Sequence, residues 1–404
     1  MYRYLASIFL IVFLIPSACS EGIRQETPSG DQELPLVTGA EQTHLYFPLI
    51  EGRRVAFAGN HTSMLAGNHL VDSLLNAGMN LVKVFSPEHG FRGRAADGEL
   101  VSSGTDSQTG LPVISLYGSN RRPTPDQLSD VDVILFDIQD VGVRFYTYIS
   151  TMSYIMEAAA RENIPVIILD RPNPHGHYVD GPVLEAGYAS FVGLHPVPVV
   201  HGMTIGEYAG MVNGEAWLGT NMSCDLTVIP VKNYTHARRY HLPVPPSPNL
   251  PDMRSVYLYP SLCFLEGTVI SLGRGTSRPF QVFGHSSFSK DEFPFKFVPQ
   301  SLAASPNPPE LGKTCHGRDL GAIPIERLEE RNQIHLDYLL EAYRSFPDKS
   351  GFFNPYFEKL AGNGLLRMQV LAGLSAEQIT ESWQEGLEEF RKIRRKYLLY
   401  PDFE

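Results

Sequence analysis

Two kinds of segment alternate along the chain from Arg54 to Asp170. Five are short apolar runs rich in β-branched residues: RVAFAGN, NLVKVFS, LPVISLYG, VDVILFD and IPVIILD. Between them lie segments with helical spacing, among them HLVDSLLNAGM and FYTYISTMSYIMEAAARE. Continuous apolar runs that alternate with helices are typical of a parallel sheet covered on both faces. The pattern therefore predicts an α/β domain, with a Rossmann-like, doubly wound parallel sheet.

Each predicted strand ends in a cluster of polar residues. The clusters are Asn60-His61-Thr62, Ser86 to Gly90, Tyr117-Gly118, Asp137 to Asp140, and Asp170 to Pro174. In open α/β sheets, ligands bind outside the carboxyl ends of the strands. Five clusters that converge on one edge predict a binding site there.

The pattern is less regular beyond Pro182 and becomes clear again near the C-terminus. Ser375 and Gln378 have the spacing of a capping box at the start of SAEQITESWQEGLEEFRKIRRKYLLY. Apolar residues then recur at helical spacing, namely Ile379, Trp383, Phe390, Ile393 and Tyr397. This aromatic face is predicted to be core.

The N-terminus has the layout of an export signal. An early arginine precedes an apolar run from Leu5 to Ile15, and small residues follow. Cys19 resembles the acceptor cysteine of a bacterial lipoprotein signal, so residues 1–19 are expected to be a lipoprotein signal and 20–48 a tether. The alternative is a simple cleaved signal peptide. An exported protein of the periplasm or cell envelope, touching the membrane only through a lipid on Cys19, is expected.

Composition narrows the choice of partners and sites. Among 404 residues, 43% are hydrophobic and 19% charged, which is ordinary for a globular protein. The net charge of −11 argues against nucleic acid as a partner. The three other cysteines, Cys224, Cys263 and Cys315, lack metal-type spacing.

Glu88 is the first candidate for chemistry. A carboxyl at a strand end beside Pro87 and Phe91 is predicted to be partly desolvated, which suits a general acid. The alternative is structural: Glu88 caps a turn or pairs with Arg92 or Arg94.

Other candidates follow the fourth apolar run, in FDIQDVGVRFYTY. Alternation along a strand places Asp137 and Gln139 on one face. Asp140 has the structural alternative of stabilising a helix N-terminus. Glu88, His89, Asp137, Asp140 and His201 contain enough metal ligands, but no HExxH or CxxC spacing is present and the loops are rich in arginine. No metal and no nucleotide cofactor is therefore predicted.

Six motifs in order resemble the NamZ-type exo-β-N-acetylmuramidase family: FSPEHGFRG, FDIQDVGVRFYTY, LDRPNP, HGMTIGE, PPSPNLP, and EGT…GRGT…PF. The resemblance extends from about Arg53 to the C-terminal RRKYLLY. It implies a Rossmann-like N-terminal domain (49–255), a smaller α+β C-terminal domain (256–404) and a cleft between them. It also implies hydrolysis of terminal, non-reducing β-1,4-linked N-acetylmuramic acid from peptidoglycan-derived disaccharides or muropeptides. RGRAADGE departs from the family pattern near Asp97.

Glycosidases usually employ two carboxyl groups. Glu88 is assigned as general acid, and Asp140 or Glu266 as the second carboxylate. The candidate substrate-binding residues are His89, Arg92, Asp137, Gln139, Arg144, Tyr146, Arg171, Asn173, His201, Asn249 and Arg274.

The lactyl carboxylate of muramic acid calls for an arginine, which binds a carboxylate bidentately. Arg144, Arg171 and Arg274 are the candidates, and Arg274 is preferred because glycines flank it. The alternative is that Arg274 bridges the two domains through a carboxylate. Two other functions stay open: a non-catalytic muropeptide-binding lipoprotein, and a metal-dependent esterase or deacetylase of cell-wall sugars.

Overall fold

A seven-stranded sheet lies at the centre of the fold. The computed structural model describes residues 34–92, 103–219 and 222–404. In chain order its strands are β1 (Val55–Gly59), β2 (Met64–Leu65), β3 (Asn68–His69), β4 (Leu81–Ser86), β5 (Gly104–Thr105), β6 (Pro112–Ser115), β7 (Val133–Asp137), β8 (Val166–Leu169), β9 (Leu226–Ile229), β10 (Val282–His285), β11 (Phe295–Phe297) and β12 (Cys315–Asp319).

The central sheet has the order β5-β6-β4-β1-β7-β8-β9, and all pairs are parallel except that of the edge strand β5 with β6. If only the six parallel strands are numbered along the chain, the order is 3-2-1-4-5-6, which is the order of Rossmann folds. The prediction of a Rossmann-like parallel sheet is confirmed. All five apolar runs form strands of this sheet.

The helices are α1 (Thr43–Ile50), α2 (Leu70–Asn76), α3 (Pro125–Leu128), α4 (Tyr148–Arg161), α5 (Ile205–Gly214), α6 (Met253–Leu262), α7 (Ile325–Glu329), α8 (Asp337–Ser345), α9 (Phe357–Ala361), α10 (Leu365–Leu371), α11 (Ala376–Glu381) and α12 (Gln384–Arg394). Short 3-10 helices occur at Gly39–Glu41, Ala186–Tyr188, Cys263–Gly267, Leu320–Ala322 and Lys349–Gly351.

Both faces of the sheet are covered. In β1, Val55 and Phe57 belong to one buried cluster, which also holds the apolar residues of α1 and α2. Ala56 and Ala58 belong to the other cluster, together with α4 and α5. Because successive side chains of a strand point to opposite faces, this division places helices on both sides of the sheet. The sheet is doubly wound, as predicted.

The second, smaller region contains an antiparallel sheet in the order β10-β12-β11. The helices from α6 to α12 belong to this half of the chain. The predicted capping box of Ser375 and Gln378 is present at the start of α11. The helical pattern is interrupted before Gln384, yet Ile379, Trp383 and Phe390 are buried as predicted.

The predicted tether is partly folded. Residues from Leu36 onward belong to one compact unit that reaches Glu404, and α1 begins at Thr43. Tyr46 and Ile50 are fully buried against the sheet cluster. Pro48 lies within this helix, and a proline is disfavoured in a helix interior, so a helix was not predicted there.

Within residues 34–92, 103–219 and 222–404, no helix is both long and apolar enough to cross a membrane. The predicted export signal with Cys19, and also Asp97, lie outside these described residues.

Candidate active site

A cleft of about 760 Å³ opens at the carboxyl edge of the central sheet. Loops that follow β4, β6 and β7 form one wall, and residues from the second region form the other. The polar and aromatic side chains that line the cleft include Glu88, His89, Tyr117, Arg121, Tyr146, Thr147, Tyr148, Phe191, Asn249, Glu266, Arg274 and Lys359.

Glu88 lies two residues beyond the end of β4 and is half-buried. Its Oε2 accepts a hydrogen bond from Thr147 Oγ1 at 3.1 Å. The next residue, His89, has φ +67°, and Gly90 has φ +76°. A histidine in the left-handed region carries backbone strain, which is often found at functional sites. This tight turn places both Glu88 and His89 on the cleft wall.

Two tyrosines close the cleft beside Glu88. The rings of Tyr146 and Tyr148 contact edge to face, with centroids 4.7 Å apart. Tyr146 OH donates a hydrogen bond to the carbonyl of Pro246 at 2.8 Å. Burial raises the pKa of Tyr148, and the charge of Glu88 raises it further. The phenol is therefore neutral and suited to donate a hydrogen bond to a sugar.

Glu266 and Arg274 form an ion pair in the opposite wall. Arg274 Nε donates to Glu266 Oε1 at 2.9 Å, and Nη2 donates to the same oxygen. The guanidinium carbon also stands 5.1 Å from the centroid of the Phe280 ring. Both flanking glycines, Gly273 and Gly275, have positive φ. Arg274 thus has a carboxylate partner, although this partner lies in the same region of the chain and not across the cleft.

Asp137 and Arg171 form an ion pair with each other. Asp137 is fully buried at the end of β7, and Arg171 follows β8. Their bond is bidentate, and Arg171 Nη2 reaches Asp137 Oδ2 at 2.8 Å. Adjacent parallel strands end side by side, which explains the pairing. Neither side chain is among those that line the cleft.

Asp140 and His201 are buried behind the cleft wall. Asp140 Oδ2 accepts a hydrogen bond from Gly142 N at 2.6 Å, and His201 Nε2 stands 3.9 Å from the same oxygen. Burial raises the pKa of Asp140 to about 7 and lowers that of His201 to about 3. At neutral pH the imidazole is therefore uncharged. Tyr146 and Tyr148 line the cleft, whereas Asp140 and His201 are not among the residues that line it.

Arg144 lies in the interior instead of the cleft. Its side chain is fully buried and donates to the carbonyls of Pro182, Val197, Leu360 and Ala361, at 2.7 to 2.9 Å. These contacts join the sheet region to the end of α9. They explain a buried arginine without any contact to substrate.

Three further predicted residues also lie outside the cleft. Arg92 Nη2 pairs with Asp106 Oδ2 at 2.8 Å, not with Glu88. Gln139 donates to the carbonyls of Asp140 and Pro172. Asn173 donates to the carbonyl of Met203 at 2.8 Å. Gln139 and Asn173 thus satisfy buried backbone carbonyls, and Arg92 satisfies a carboxylate, so all three have structural partners outside the cleft.

Sequence reasoning missed several cleft residues, notably Arg121, Thr147, Tyr148 and Lys359. Thr147 and Tyr148 stand inside the motif FYTY, where only Tyr146 was singled out. Arg121 follows the strand-end cluster at Tyr117-Gly118, and this position was the available signal. Lys359 had none.

The residues that the structure describes contain no group of three or more His, Cys, Asp or Glu side chains arranged to hold a metal ion.

Comparison with known proteins identifies the family. The model of the N-terminal part of exo-β-N-acetylmuramidase NamZ matches residues 55–254, and that of the C-terminal part matches residues 257–400. The chain belongs to the NamZ family. It is 41% identical over 375 residues to the peptidoglycan β-N-acetylmuramidase NamZ of Bacillus subtilis (strain 168), covering 88% of this chain and 89% of that protein.

Solved structures agree with this assignment. A crystal structure of a DUF1343 family protein from Bacteroides fragilis has a TM-score of 0.85 and 47% identity, covering 91% of this chain and all of that one. A second DUF1343 family protein from the same organism has a TM-score of 0.77 and 32% identity, covering 90% and 99%. The NamZ-family fold therefore extends over nearly the whole described chain.

Proposed function

We propose that this NamZ-family protein is an exo-β-N-acetylmuramidase that releases terminal, non-reducing β-1,4-linked N-acetylmuramic acid from peptidoglycan fragments. Family membership supports the reaction. The observation that carries it is the half-buried carboxyl of Glu88 in the cleft, with a second carboxyl, that of Glu266, in the same cleft. Most glycosidases use two carboxyl groups in catalysis.

Glu88 is the general acid of this proposal. Glycosidic cleavage requires a proton on the leaving oxygen while positive charge develops on the sugar. The hydrogen bond from Thr147 Oγ1 holds the carboxyl in one orientation at the cleft wall. The strained turn at His89 fixes the backbone beside it. Both features preorganise a proton donor.

Glu266 is the second carboxylate of the proposal, in preference to Asp140. Glu266 lines the cleft and is held in an ion pair with Arg274. Asp140 is buried and is not among the residues that line the cleft. A group that contacts neither water nor sugar in the cleft has no direct route to the reacting carbon.

The test is hydrolysis of a chromogenic β-N-acetylmuraminide. Glu88→Gln keeps the size of the side chain but removes the transferable proton, so kcat should fall by roughly 10²- to 10⁴-fold. Binding of N-acetylmuramic acid should persist. Glu388→Gln, at an exposed position of α12, is the control. Near-normal turnover by the Glu88 variant would remove Glu88 from the mechanism.

Export as a lipoprotein is part of the proposal and is supported by the sequence around Cys19. Peptidoglycan fragments arise outside the cytoplasmic membrane, so an anchored enzyme would meet them there. Labelled palmitate should be incorporated into the full chain and not into its Cys19→Ala variant. Incorporation by both would refute the anchor.

A further inference from the structure

We propose that Arg121 binds the carboxylate of the lactyl ether that distinguishes N-acetylmuramic acid from N-acetylglucosamine. The inference rests on the proposed function, because it names the group that selects the sugar. An ionised carboxylate is best bound by a planar guanidinium fork, which donates two parallel hydrogen bonds. The relevant arginine must line the cleft and have its donors available.

The arginines suggested by the sequence are engaged elsewhere. Arg144 donates hydrogen bonds to four carbonyl groups, and Arg171 forms a bidentate ion pair with Asp137. Arg274 lines the cleft, but it already donates twice to Glu266. Recruiting Arg274 to the substrate would leave Glu266 with a weaker partner inside the cleft.

Arg121 meets the requirement. It lines the cleft and forms no ion pair with the described part of the chain. Its guanidinium carbon lies 4.5 Å from the centroid of the Phe191 ring. A cation–π contact uses none of the guanidinium N–H donors, so they stay available for an anion.

The Phe191 ring beneath Arg121 is held by packing against other aromatic side chains. Phe191 is buried and stacks on Tyr154, with centroids 6.2 Å apart and planes 6° apart. Tyr117 packs against the same ring at 6.1 Å. Arg122 covers the far ring, Tyr154, at 4.7 Å, and it is neutralised by Glu157 at 3.0 Å. Of these two adjacent arginines, Arg122 has a carboxylate partner and Arg121 forms no ion pair within the described residues.

Lys359 is the competing cation. It lines the cleft, forms no ion pair within the described residues and, like Arg121, is exposed. An ammonium is a point charge without the fork geometry that a carboxylate matches. The geometry points to Arg121 over Lys359.

The experiment uses two substrates that differ at the lactyl carboxyl group, which is ionised in one and neutral in the other: a chromogenic β-N-acetylmuraminide and its lactyl primary amide. Arg121→Gln should raise KM for the acid roughly 10- to 100-fold, as expected for a lost charge-assisted hydrogen-bond pair. It should leave kcat within about two-fold and hardly change KM for the amide. Arg121→Lys should give an intermediate KM. Arg122→Gln is the matched control and should leave both substrates unaffected.

Three results would overturn the proposal: an unchanged KM in Arg121→Gln, an equal loss for acid and amide, or a selective loss in Lys359→Gln instead. Calorimetric titration with N-acetylmuramic acid separates this inference from the catalytic one. If the unmodified protein hydrolyses nothing yet binds this sugar through Arg121, the proposed reaction fails and the carboxylate subsite stands. If its binding is equal in the unmodified protein and Arg121→Gln, the subsite fails, whatever the turnover.

Discussion

The positively charged guanidinium of Arg144 is buried in the interior, and it donates hydrogen bonds to four carbonyl oxygens. Burial lowers its pKa to about 9, so it remains charged at neutral pH. Two of the carbonyls, those of Leu360 and Ala361, end α9, and a helix C-terminus favours a cation. The residue therefore stabilises the packing of α9 against the sheet region.

Arg144→Met should lower the free energy of unfolding by roughly 3 to 5 kcal/mol, because four buried carbonyls lose their donors. Urea denaturation measures the loss. The same substitution at exposed Arg121 should change stability by less than about 0.5 kcal/mol. A normal urea midpoint for Arg144→Met, accompanied by weakened muraminide binding, would instead place Arg144 in substrate recognition.

Asp140 should make the free energy of unfolding depend on pH. Its folded pKa of about 7 lies above the value of about 4 in the unfolded chain, so the folded state retains a proton between these values. The stabilisation that the folded state gains from retaining this proton is complete below about pH 4 and is lost as pH rises to about 7. Asp140→Asn cannot ionise, so it should become more stable than the unmodified protein by up to about 4 kcal/mol at pH 8. A difference that stays constant from pH 4 to 8 would contradict the raised pKa.

At the scale of elements, α5 is tied to the end of β8 by its own cap. Thr204 Oγ1 accepts from Glu207 N at 3.2 Å and donates to Asp170 Oδ2 at 2.7 Å. Asp170 also accepts from Gly206 N at 2.8 Å. The capping box that begins this helix is thus part of a buried network and not only a local signal.

Thr204→Ala should therefore cost more stability than the same change in an exposed capping box. Thr124→Ala at α3 removes one cap and should cost about 1 kcal/mol. Thr204→Ala also removes a buried hydrogen bond to a carboxyl and should cost roughly 2 to 3 kcal/mol. Denaturation of both variants provides the comparison. Equal losses would show that the bond to Asp170 contributes nothing.

At the scale of the whole molecule, the C-terminal segment returns to the first sheet. Tyr400 OH donates to Asp170 Oδ2 and accepts from Val231 N at 2.8 Å. Leu399 N donates to Glu207 Oε1 at 2.8 Å, and Asp402 pairs with buried Arg394. Because these contacts join the C-terminal end of the chain to the first sheet and to α5, residues 36–404 should unfold together.

Deletion of residues 399–404 should lower Tm while leaving one calorimetric transition. The physical reason is that the deletion exposes the Asp170–Glu207 network of the first sheet and not merely the last helix. Tyr400→Phe tests a part of this effect without shortening the chain, and it should cost roughly 1 to 3 kcal/mol. Two separate transitions, with the sheet melting as before, would show that the two regions are independent.

The sequence by itself determined the sheet and the edge at which the cleft lies. Period-two and period-3.6 patterns are local consequences of backbone geometry, so the five strands and α2, α4 and α11 were predictable. The strand-end position of Glu88 followed from the same pattern, and the six motifs identified the family.

Only the tertiary structure decided which strand-end groups line the cleft. Asp137 faces Arg171 because β7 and β8 are neighbours, and Arg144 meets carbonyls more than two hundred residues away. Such pairings depend on distances between segments far apart in sequence, and local periodicity contains no information about them. The same limit explains why the sequence did not single out Arg121: its proposed role as an anion site depends on the ring of Phe191, whose centroid the fold places 4.5 Å from the guanidinium carbon.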